Sequence, residues 1–156
     1  MRLTIAAVGR LGRGPEQDLV SDYLARAGQS GRAVGLGPVA VTEIDERKAR
    51  DPAAQAVRLA GAIPRAAPVV ALDERGGTLC SPAFAELLAR YRDAGRAETV
   101  FLIGGADGLD AGMRERADRL LSLGPMVWPH RLVRVMLAEQ IYRAVSILAG
   151  TPYHRA

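Results

Sequence analysis

The stretch Val100-Phe101-Leu102-Ile103-Gly104-Gly105-Ala106-Asp107-Gly108 decides the fold of this chain. Four apolar residues without alternation are typical of a strand that helices cover on both faces, as in parallel sheets. The glycines that follow allow a tight turn and a close approach of the backbone to a ligand. Because open α/β sheets bind ligands at the carboxyl ends of their strands, Gly104–Gly108 predicts a small-ligand pocket. An ordinary strand-to-helix turn would have the same pattern.

Apolar runs alternate with segments of helical periodicity along the whole chain. The predicted strands are Leu3–Val8, Val39–Ile44, Pro68–Asp73, Thr99–Ile103 and Leu120–Leu123. The predicted helices are Pro15–Ala27, Pro52–Ile63, Ser81–Ala94 and, approximately, Arg131–Ala149. This order predicts an α/β fold with a mainly parallel sheet. At 156 residues we expect a single domain, 1–156. We expect the loop Gly28–Pro38, with its four glycines, to be mobile.

The positive charge of the chain is concentrated near its C-terminus. Residues 114–156 hold seven arginines and three acidic residues, whereas residues 1–113 are neutral, so this segment carries the formal charge of +4. Arginine suits bidentate phosphate contacts, which predicts a polyanionic partner. The glycine-rich turn Gly9–Gly14 similarly predicts an RNA-backbone contact through Arg10 and Arg13. The alternatives are a basic helix end and an ordinary turn with solvated arginines.

Composition excludes several classes of protein. A hydrophobic content of 49% with a mean hydropathy near zero indicates a folded globular protein. No apolar run is long enough to span a membrane, and the N-terminal stretch is too short for a secretory signal, so we expect a cytoplasmic location. The single cysteine, Cys80, excludes an internal disulfide and a cysteine-based metal cluster. The acidic pair Asp73-Glu74 lacks neighbouring ligands, so we expect no metal there but neutralisation by Arg75 at an exposed turn.

The last predicted helix is unusually apolar. Its stripe comprises Val133, Leu137, Ile141, Ala144 and Leu148. A helix of this kind lies either in the core or against another chain, and we favour a symmetric dimer contact over the core.

The chain ends in Tyr153-His154-Arg155, which places an aromatic ring, a titratable imidazole and a fixed positive charge side by side. Such a trio serves chemistry only where something holds the tail over a pocket, and chain termini are commonly disordered. Both interpretations stay open on the residues alone.

Eight segments, in this order, resemble one family. They are Leu72-Asp73-Glu74-Arg75-Gly76, Ile103-Gly104-Gly105-Ala106-Asp107-Gly108, Leu121-Ser122-Leu123, Pro129-His130, Leu132-Val133-Arg134-Val135, Ala138-Glu139-Gln140, Tyr142-Arg143-Ala144 and Pro152-Tyr153-His154-Arg155. The chain is similar to the small SPOUT-class methyltransferases that modify N3 of a pseudouridine in bacterial 23S ribosomal RNA. The match spans the chain and is densest from about Val69 to the end.

This resemblance implies a SPOUT fold whose C-terminal part, about residues 69–156, forms a trefoil knot. It implies binding of S-adenosyl-L-methionine (SAM) and a homodimer in which the tail of one subunit approaches the cofactor of the other. The substrate would be 23S ribosomal RNA in the assembled ribosome. Carried over by position, the cofactor contacts are Leu72, Gly104, Leu123, Gly124, Pro125, Met126, Val127 and Trp128.

The same resemblance frames a hypothesis for catalysis. The imide N–H of the target base is a poor nucleophile until its proton is removed. We expect His154 to act as the base or its relay, Arg155 to stabilise the anion, and Tyr153 to position the base by stacking. Arg134 and Arg143 are expected to hold RNA or the tail.

Two rival functions fit parts of the sequence. The first is a ribosome-binding module without catalysis that uses the basic C-terminal surface. The second is a Rossmann-type oxidoreductase, for which Glu43 or Asp45 could supply the ribose-binding acid. The spacing G-G-x-x-G departs from the G-x-G-x-x-G fingerprint of that class, which argues against it.

Overall fold

The computed structural model describes residues 1–154, with the side chain of His154 excluded. Five parallel strands form one sheet in the order β2-β1-β4-β3-β5. The strands are β1 (Arg2–Val8), β2 (Val39–Ile44), β3 (Val69–Thr78), β4 (Glu98–Ile103) and β5 (Arg119–Ser122). The predicted α/β fold, its parallel sheet and the five strands are confirmed.

Helices cover both faces of this sheet. They are α1 (Pro15–Gly31), α2 (Pro52–Gly61), α3 (Ser81–Asp93), α4 (Ala111–Arg116) and α5 (His130–Leu148). The first, third and fifth pack on one face, and the second and fourth on the other. In β4, Phe101 is fully buried in one core and Leu102 in the other. This two-sided burial explains why the strand is apolar without alternation.

Two helical segments differ from the prediction. Helix α1 continues to Gly31, and a 3₁₀ turn follows at Arg32–Val34. The predicted loop Gly28–Pro38 is therefore partly helical, because Gly28 and Gly31 lie within α1. The short α4 was not predicted. Its start carries a signal, since the carboxylate of Asp110 caps the backbone N–H groups of Gly112 and Met113.

Strand β3 extends beyond the predicted Pro68–Asp73 to Thr78. Its pairing with β5 shifts register between Leu72 and Gly77. Gly76 makes this possible, because a Cβ atom there would lie 2.6 Å from the carbonyl carbon of Leu120. The sequence of this extension is polar, so no apolar run marks it as a strand.

The apolar stripe of α5 lies in the protein's own core. Leu137, Ile141 and Ala144 are fully buried, and Val133 and Leu148 pack against the same cluster. The core alternative is thus confirmed for this stripe, and our preference for a dimer contact there was wrong. The homodimer stays a prediction that needs other support.

Within the described residues, no helix is both long and apolar enough to cross a bilayer. The threading of the C-terminal part into a trefoil knot and the single-domain boundaries 1–156 stay predictions.

Candidate active site

A cavity of about 620 Å³ opens at the edge of the sheet where β4 and β5 end, beside Leu72–Arg75 of β3. Its volume falls within the range of about 300–1,000 Å³ that is usual for small-molecule sites. Apolar walls come from Leu72, Ile103 and Leu121, and backbone comes from the two loops that follow β4 and β5. The pocket predicted at Gly104–Gly108 is thus present, at the edge where parallel sheets bind ligands.

The loop Gly104–Gly108 folds back on itself along one wall. The N–H of Gly108 donates to the carbonyl oxygen of Gly105 at 3.0 Å, and Gly108 has a φ of +76°. A Cβ atom on Gly104 would lie 2.4 Å from the carbonyl carbon of Gly108. Glycine is required at Gly104 by this contact and is strongly favoured at Gly108 by its φ.

The segment from Ser122 to Trp128 forms the opposite wall. The Ser122 hydroxyl donates to the Gly124 carbonyl oxygen at 2.9 Å and accepts from the Gly124 N–H at 3.2 Å. Gly124 turns the chain with a φ of +121°. Met126 and Val127 then lie 68% and 82% exposed on the rim. This wall is apolar, and its backbone bends sharply around the cavity.

The structure brings together seven of the eight residues expected to contact the cofactor. They are Leu72, Gly104, Leu123, Gly124, Met126, Val127 and Trp128. The eighth, Pro125, lies in the same segment but outside the cavity lining.

Charged groups also line the cavity. The side chain of Asp73 is 5% exposed and accepts from the Arg75 N–H at 2.9 Å. The guanidinium of Arg75 lies 3.7 Å from Asp73 and 3.9 Å from Glu74, as expected for mutual neutralisation. Asp73 nevertheless belongs to the cavity wall and not to an exposed turn. Among the described residues, no group of three potential metal ligands occurs.

Arg114 is a lining residue that the sequence did not reveal. Its Nε lies 4.0 Å from Asp73, and its Nη1 donates to the carbonyl oxygen of Leu109. It thereby connects α4 to β3 beneath the cavity. No pattern in the sequence predicts that a basic residue of a short helix will contact Asp73 at the cavity.

The expected RNA contact of Arg134 is wrong for this structure, because Arg134 is fully buried. Its Nη1 donates to Glu43 at 2.7 Å, and its Nη2 donates to the carbonyl oxygens of Val8 and Gly9 at 3.2 and 2.9 Å. Burial lowers the pKa of Arg134, and Glu43 partly offsets this effect. Glu43 also accepts from the Leu11 N–H at 3.1 Å. The pair therefore fixes the turn after β1.

Arg10 and Arg13 lie exposed on that same turn. Arg10 is 3.6 Å from Asp45 and remains 69% exposed, which leaves its guanidinium accessible. The turn follows β1 and so lies at the same sheet edge as the cavity. Their predicted contact with RNA stays a prediction.

The tail is held against the far part of α5. The Tyr153 hydroxyl donates to Glu139 at 3.1 Å, its ring lies 4.5 Å from that of Tyr142, and the Arg143 guanidinium lies 4.9 Å from its centroid. Burial, together with the neighbouring Tyr23 and Glu139, raises the pKa of Tyr153. Arg143 also pairs with Glu139 at 2.7 Å. Arg143 thus contacts Tyr153 of the tail, and its expected role of holding RNA or the tail stays a prediction.

Tyr153 is remote from the cavity of its own chain. Val133 lines the cavity, whereas Tyr153 contacts Glu139 and Arg143, which lie six and ten residues, about 9 and 15 Å, farther along α5. His154 continues the terminal 3₁₀ turn, but its side chain lies outside the described residues, as does Arg155. Their expected catalytic roles stay predictions.

Comparison with known proteins gives one consistent result. The family described as predicted SPOUT methyltransferase matches residues 1–154. The chain is 59% identical to ribosomal RNA large subunit methyltransferase H of Dinoroseobacter shibae and 57% identical to that of Paracoccus denitrificans. Each alignment covers 99% of both chains.

Two solved structures share the fold at low sequence identity. A probable methyltransferase from Bordetella pertussis aligns with a TM-score of 0.51 and 17% identity, over 92% of this chain and 96% of that one. A probable methylase family protein from Haemophilus influenzae aligns with a TM-score of 0.54 and 11% identity, over 99% of this chain and 70% of that one.

Proposed function

Because this chain belongs to the SPOUT methyltransferase family, we propose that it transfers a methyl group from SAM to bacterial large-subunit ribosomal RNA. The proposed acceptor is N3 of a pseudouridine in 23S ribosomal RNA, in the assembled ribosome. The relatives named above support the RNA class, since both are ribosomal RNA methyltransferases by name. The family argues against the oxidoreductase alternative. The site of action we infer is the cytoplasm, where ribosomes work.

The residues of the cavity fit SAM. Apolar side chains and loop backbone form a slot suited to adenine, which is recognised by packing and a few main-chain hydrogen bonds. A Cβ atom on Gly124 would meet no atom within 4 Å, so a ligand can approach the backbone there. Asp73, Glu74 and Asp107 place carboxylates around the cavity that complement the positive charges of SAM. When bound, SAM supplies an electrophilic methyl group.

The protein must hold the acceptor nitrogen in line and remove its proton. Alignment of two reactants can supply most of the acceleration, and a positioned base contributes further. We assign the base or proton relay to His154, stabilisation of the imide anion to Arg155, and positioning of the base to Tyr153. The proton leaves N3 before or as the new carbon–nitrogen bond forms.

The position of the tail supports a site shared between two subunits. Tyr153 docks on α5 about 9–15 Å from Val133 in the cavity lining of its own chain, and we assign the tail to the cavity of a second copy. A large apolar patch borders the cavity mouth and comprises Met126, Val127, Trp128 and Leu132, each 38–82% exposed. Exposed patches of this kind mark interaction surfaces. We therefore assign this patch to the homodimer interface.

The observation that carries the proposal is the glycine-walled cavity at the carboxyl edge of the sheet, lined by the residues expected to contact SAM. The test is transfer of labelled methyl from SAM to ribosomes with and without the target pseudouridine. We expect incorporation only where the pseudouridine is present. Equal incorporation into ribosomes with unmodified uridine would refute the substrate assignment.

Calorimetry with SAM separates this proposal from the non-catalytic alternative. We expect saturable binding of SAM at one site per chain. A protein that binds ribosomes but has no affinity for SAM would be a binding module, and the methyltransferase proposal would fail.

A further inference from the structure

A second cavity, of about 350 Å³, lies at the opposite edge of the sheet from the active site. It sits beside the start of β3 and is formed by three loops that follow α2, α3 and α4. The lining includes three arginines: Arg65 and Arg96 lie in the loops that follow α2 and α3, and Arg116 is the last residue of α4. All three are exposed. The proposed methyl transfer does not use this cavity.

The charge of this cavity is unbalanced. Asp118 is its single acidic lining residue, and its Oδ2 already accepts from the backbone N–H of Val69 at 2.7 Å. Within the described part of the chain, none of the three arginines forms an ion pair, whereas eight other arginines do. Three free guanidinium groups around one small cavity favour an anionic ligand.

The surrounding surface extends the positive charge. Burial and, after it, Asp118 raise the pKa of Tyr91, and Arg119, Arg90 and Arg96 act in the opposite direction. Two further arginines, Arg90 and Arg119, thus lie near the cavity, together with the acidic Asp118.

Helix geometry gives a second reason for basic residues at these positions. Arg116 ends α4, and Arg65 and Arg96 follow the ends of α2 and α3, where basic residues complement the helix dipole. That effect acts on each helix separately and does not require the three side chains to line one cavity. The loop with Arg65 is also bounded by Pro64 and Pro68, which restrict its backbone. Three arginines from separate segments line one cavity, and one of them lies in a restrained loop. Both features favour a preformed anion-binding site.

We propose that the cleft formed by Arg65, Arg96 and Arg116 binds a backbone phosphate of the ribosomal RNA substrate, remote from the methylated base. This inference rests on the proposed function. Residues Val69–Leu72 of β3 separate the linings of the two cavities by about 10 Å along the strand, and an RNA that contacts both must pass around the outside of the sheet. The cleft adds affinity and orientation without taking part in the chemistry.

The test uses Arg65→Gln/Arg96→Gln in the full-length protein. Both side chains lie exposed in loops, so neither change removes a packing contact of the core. The matched control is Arg32→Gln/Arg58→Gln, which removes the same charge from exposed positions outside both cavities. Thermal unfolding and SAM calorimetry of both variants should match the parent protein.

We expect the KM for unmethylated ribosomes to rise about tenfold in the cleft variant with kcat unchanged, and the control to follow the parent. Co-sedimentation with ribosomes should show the same loss of affinity, and the slope of log affinity against log salt should become shallower by about two. Equal behaviour of both variants in these measurements overturns the proposal.

Two further outcomes distinguish failure of the proposed function from failure of the phosphate cleft. If the parent protein does not methylate ribosomes, the proposed function is defeated, while co-sedimentation still decides whether the cleft binds RNA. Nuclear magnetic resonance of the arginine Nε–H groups during titration with tripolyphosphate probes free phosphate compounds. Tight tripolyphosphate binding with unchanged ribosome affinity identifies a site for a small phosphate ligand and overturns the RNA assignment.

Discussion

Gly104 is the residue at which the candidate site has no space for a side chain. A Cβ atom there would lie 2.4–2.8 Å from three backbone atoms of Gly108 and Leu109, and backbone cannot rotate away as a side chain can. The turn that forms the cavity wall therefore depends on the absence of one methyl group.

Gly104→Ala should reduce the affinity for SAM at least tenfold, about 1.4 kcal/mol, because the turn must move. It should also destabilise the fold by about 1–3 kcal/mol, as overpacking of a closed site does. Calorimetry and thermal unfolding measure the two effects. Gly28→Ala is the control, since its Cβ meets nothing within 4 Å inside α1, and it should stabilise the protein by about 0.5–1 kcal/mol. Unchanged SAM affinity in Gly104→Ala would contradict this account of the cavity wall.

Arg134 shows how one residue can be assigned the wrong role from sequence. Its neighbours in the sequence form a basic helix start, which suggests a surface, yet its guanidinium bonds Glu43 and the end of β1 inside the protein. Its partner Glu43 lies 91 residues away in the chain, and the sequence suggested for it only the role of a ribose-binding acid.

Arg134→Met should destabilise the protein by about 3 kcal/mol, because Glu43 and two carbonyl oxygens lose their donor. This loss of stability lies at the low end of the range for breaking a buried ion pair, because the Glu43 side chain is 30% exposed. Arg26→Met, which breaks an exposed pair with Asp22, should cost far less, because water screens that pair. Denaturant unfolding compares them, and equal losses would show that Arg134 has no structural role.

At the scale of elements, α5 connects the cavity to the tail. Its first turn borders the cavity through His130 and Val133, its middle lies in the core, and Glu139 and Arg143 hold Tyr153. The helix therefore fixes the distance between a chain's own cavity and its own tail.

Glu139→Gln should lower the pKa of Tyr153, because the Glu139 charge and hydrogen bond help to raise it. A raised pKa means that the folded protein holds the phenolic proton more tightly. The corresponding stability is fully present below the ordinary value of 10.0 and is lost as pH rises above it. Tail docking should accordingly weaken only in alkaline solution. Ultraviolet titration of tyrosinate, with Tyr153→Phe to identify the signal, measures the shift. An unchanged titration in Glu139→Gln would contradict the docking contact.

At the scale of the whole molecule, the proposed active site is assembled from two chains. The cavity and the tail lie at different positions along α5, and the apolar patch at the cavity mouth provides a surface for a partner. In this proposal, the cavity of one chain and the tail of its partner form one site.

Mixing two inactive variants tests this arrangement. Gly104→Val blocks the cavity, and His154→Ala removes the proposed base. After exchange of subunits, about half of the dimers are mixed and hold one intact site, so about a quarter of the parent activity should return. Size-exclusion chromatography checks that both variants remain dimeric. An absence of recovered activity from well-mixed dimers would place the tail and the cavity in the same chain.

The sequence by itself determined the parallel α/β fold and the cavity loop, because both depend on local signals. Val100–Ile103 is apolar on both sides, so helices must pack on both faces of the strand. Gly104–Gly108 forms a turn that only glycine permits. The family resemblance added the segment that forms the second wall, of which all but Pro125 line the cavity.

Only the tertiary structure decided where the long polar side chains of the chain lie. It buried Arg134 against Glu43, placed Arg114 beneath the cavity, docked Tyr153 on α5 and gathered three arginines at the far edge of the sheet. The extension of β3 to Thr78 also depended on tertiary contacts, because the backbone at Gly76 lies directly against the backbone of β5. The physical reason is separation along the chain. Burial patterns and turns follow from neighbouring residues, whereas ion pairs and contacts between strands depend on partners far away in the sequence.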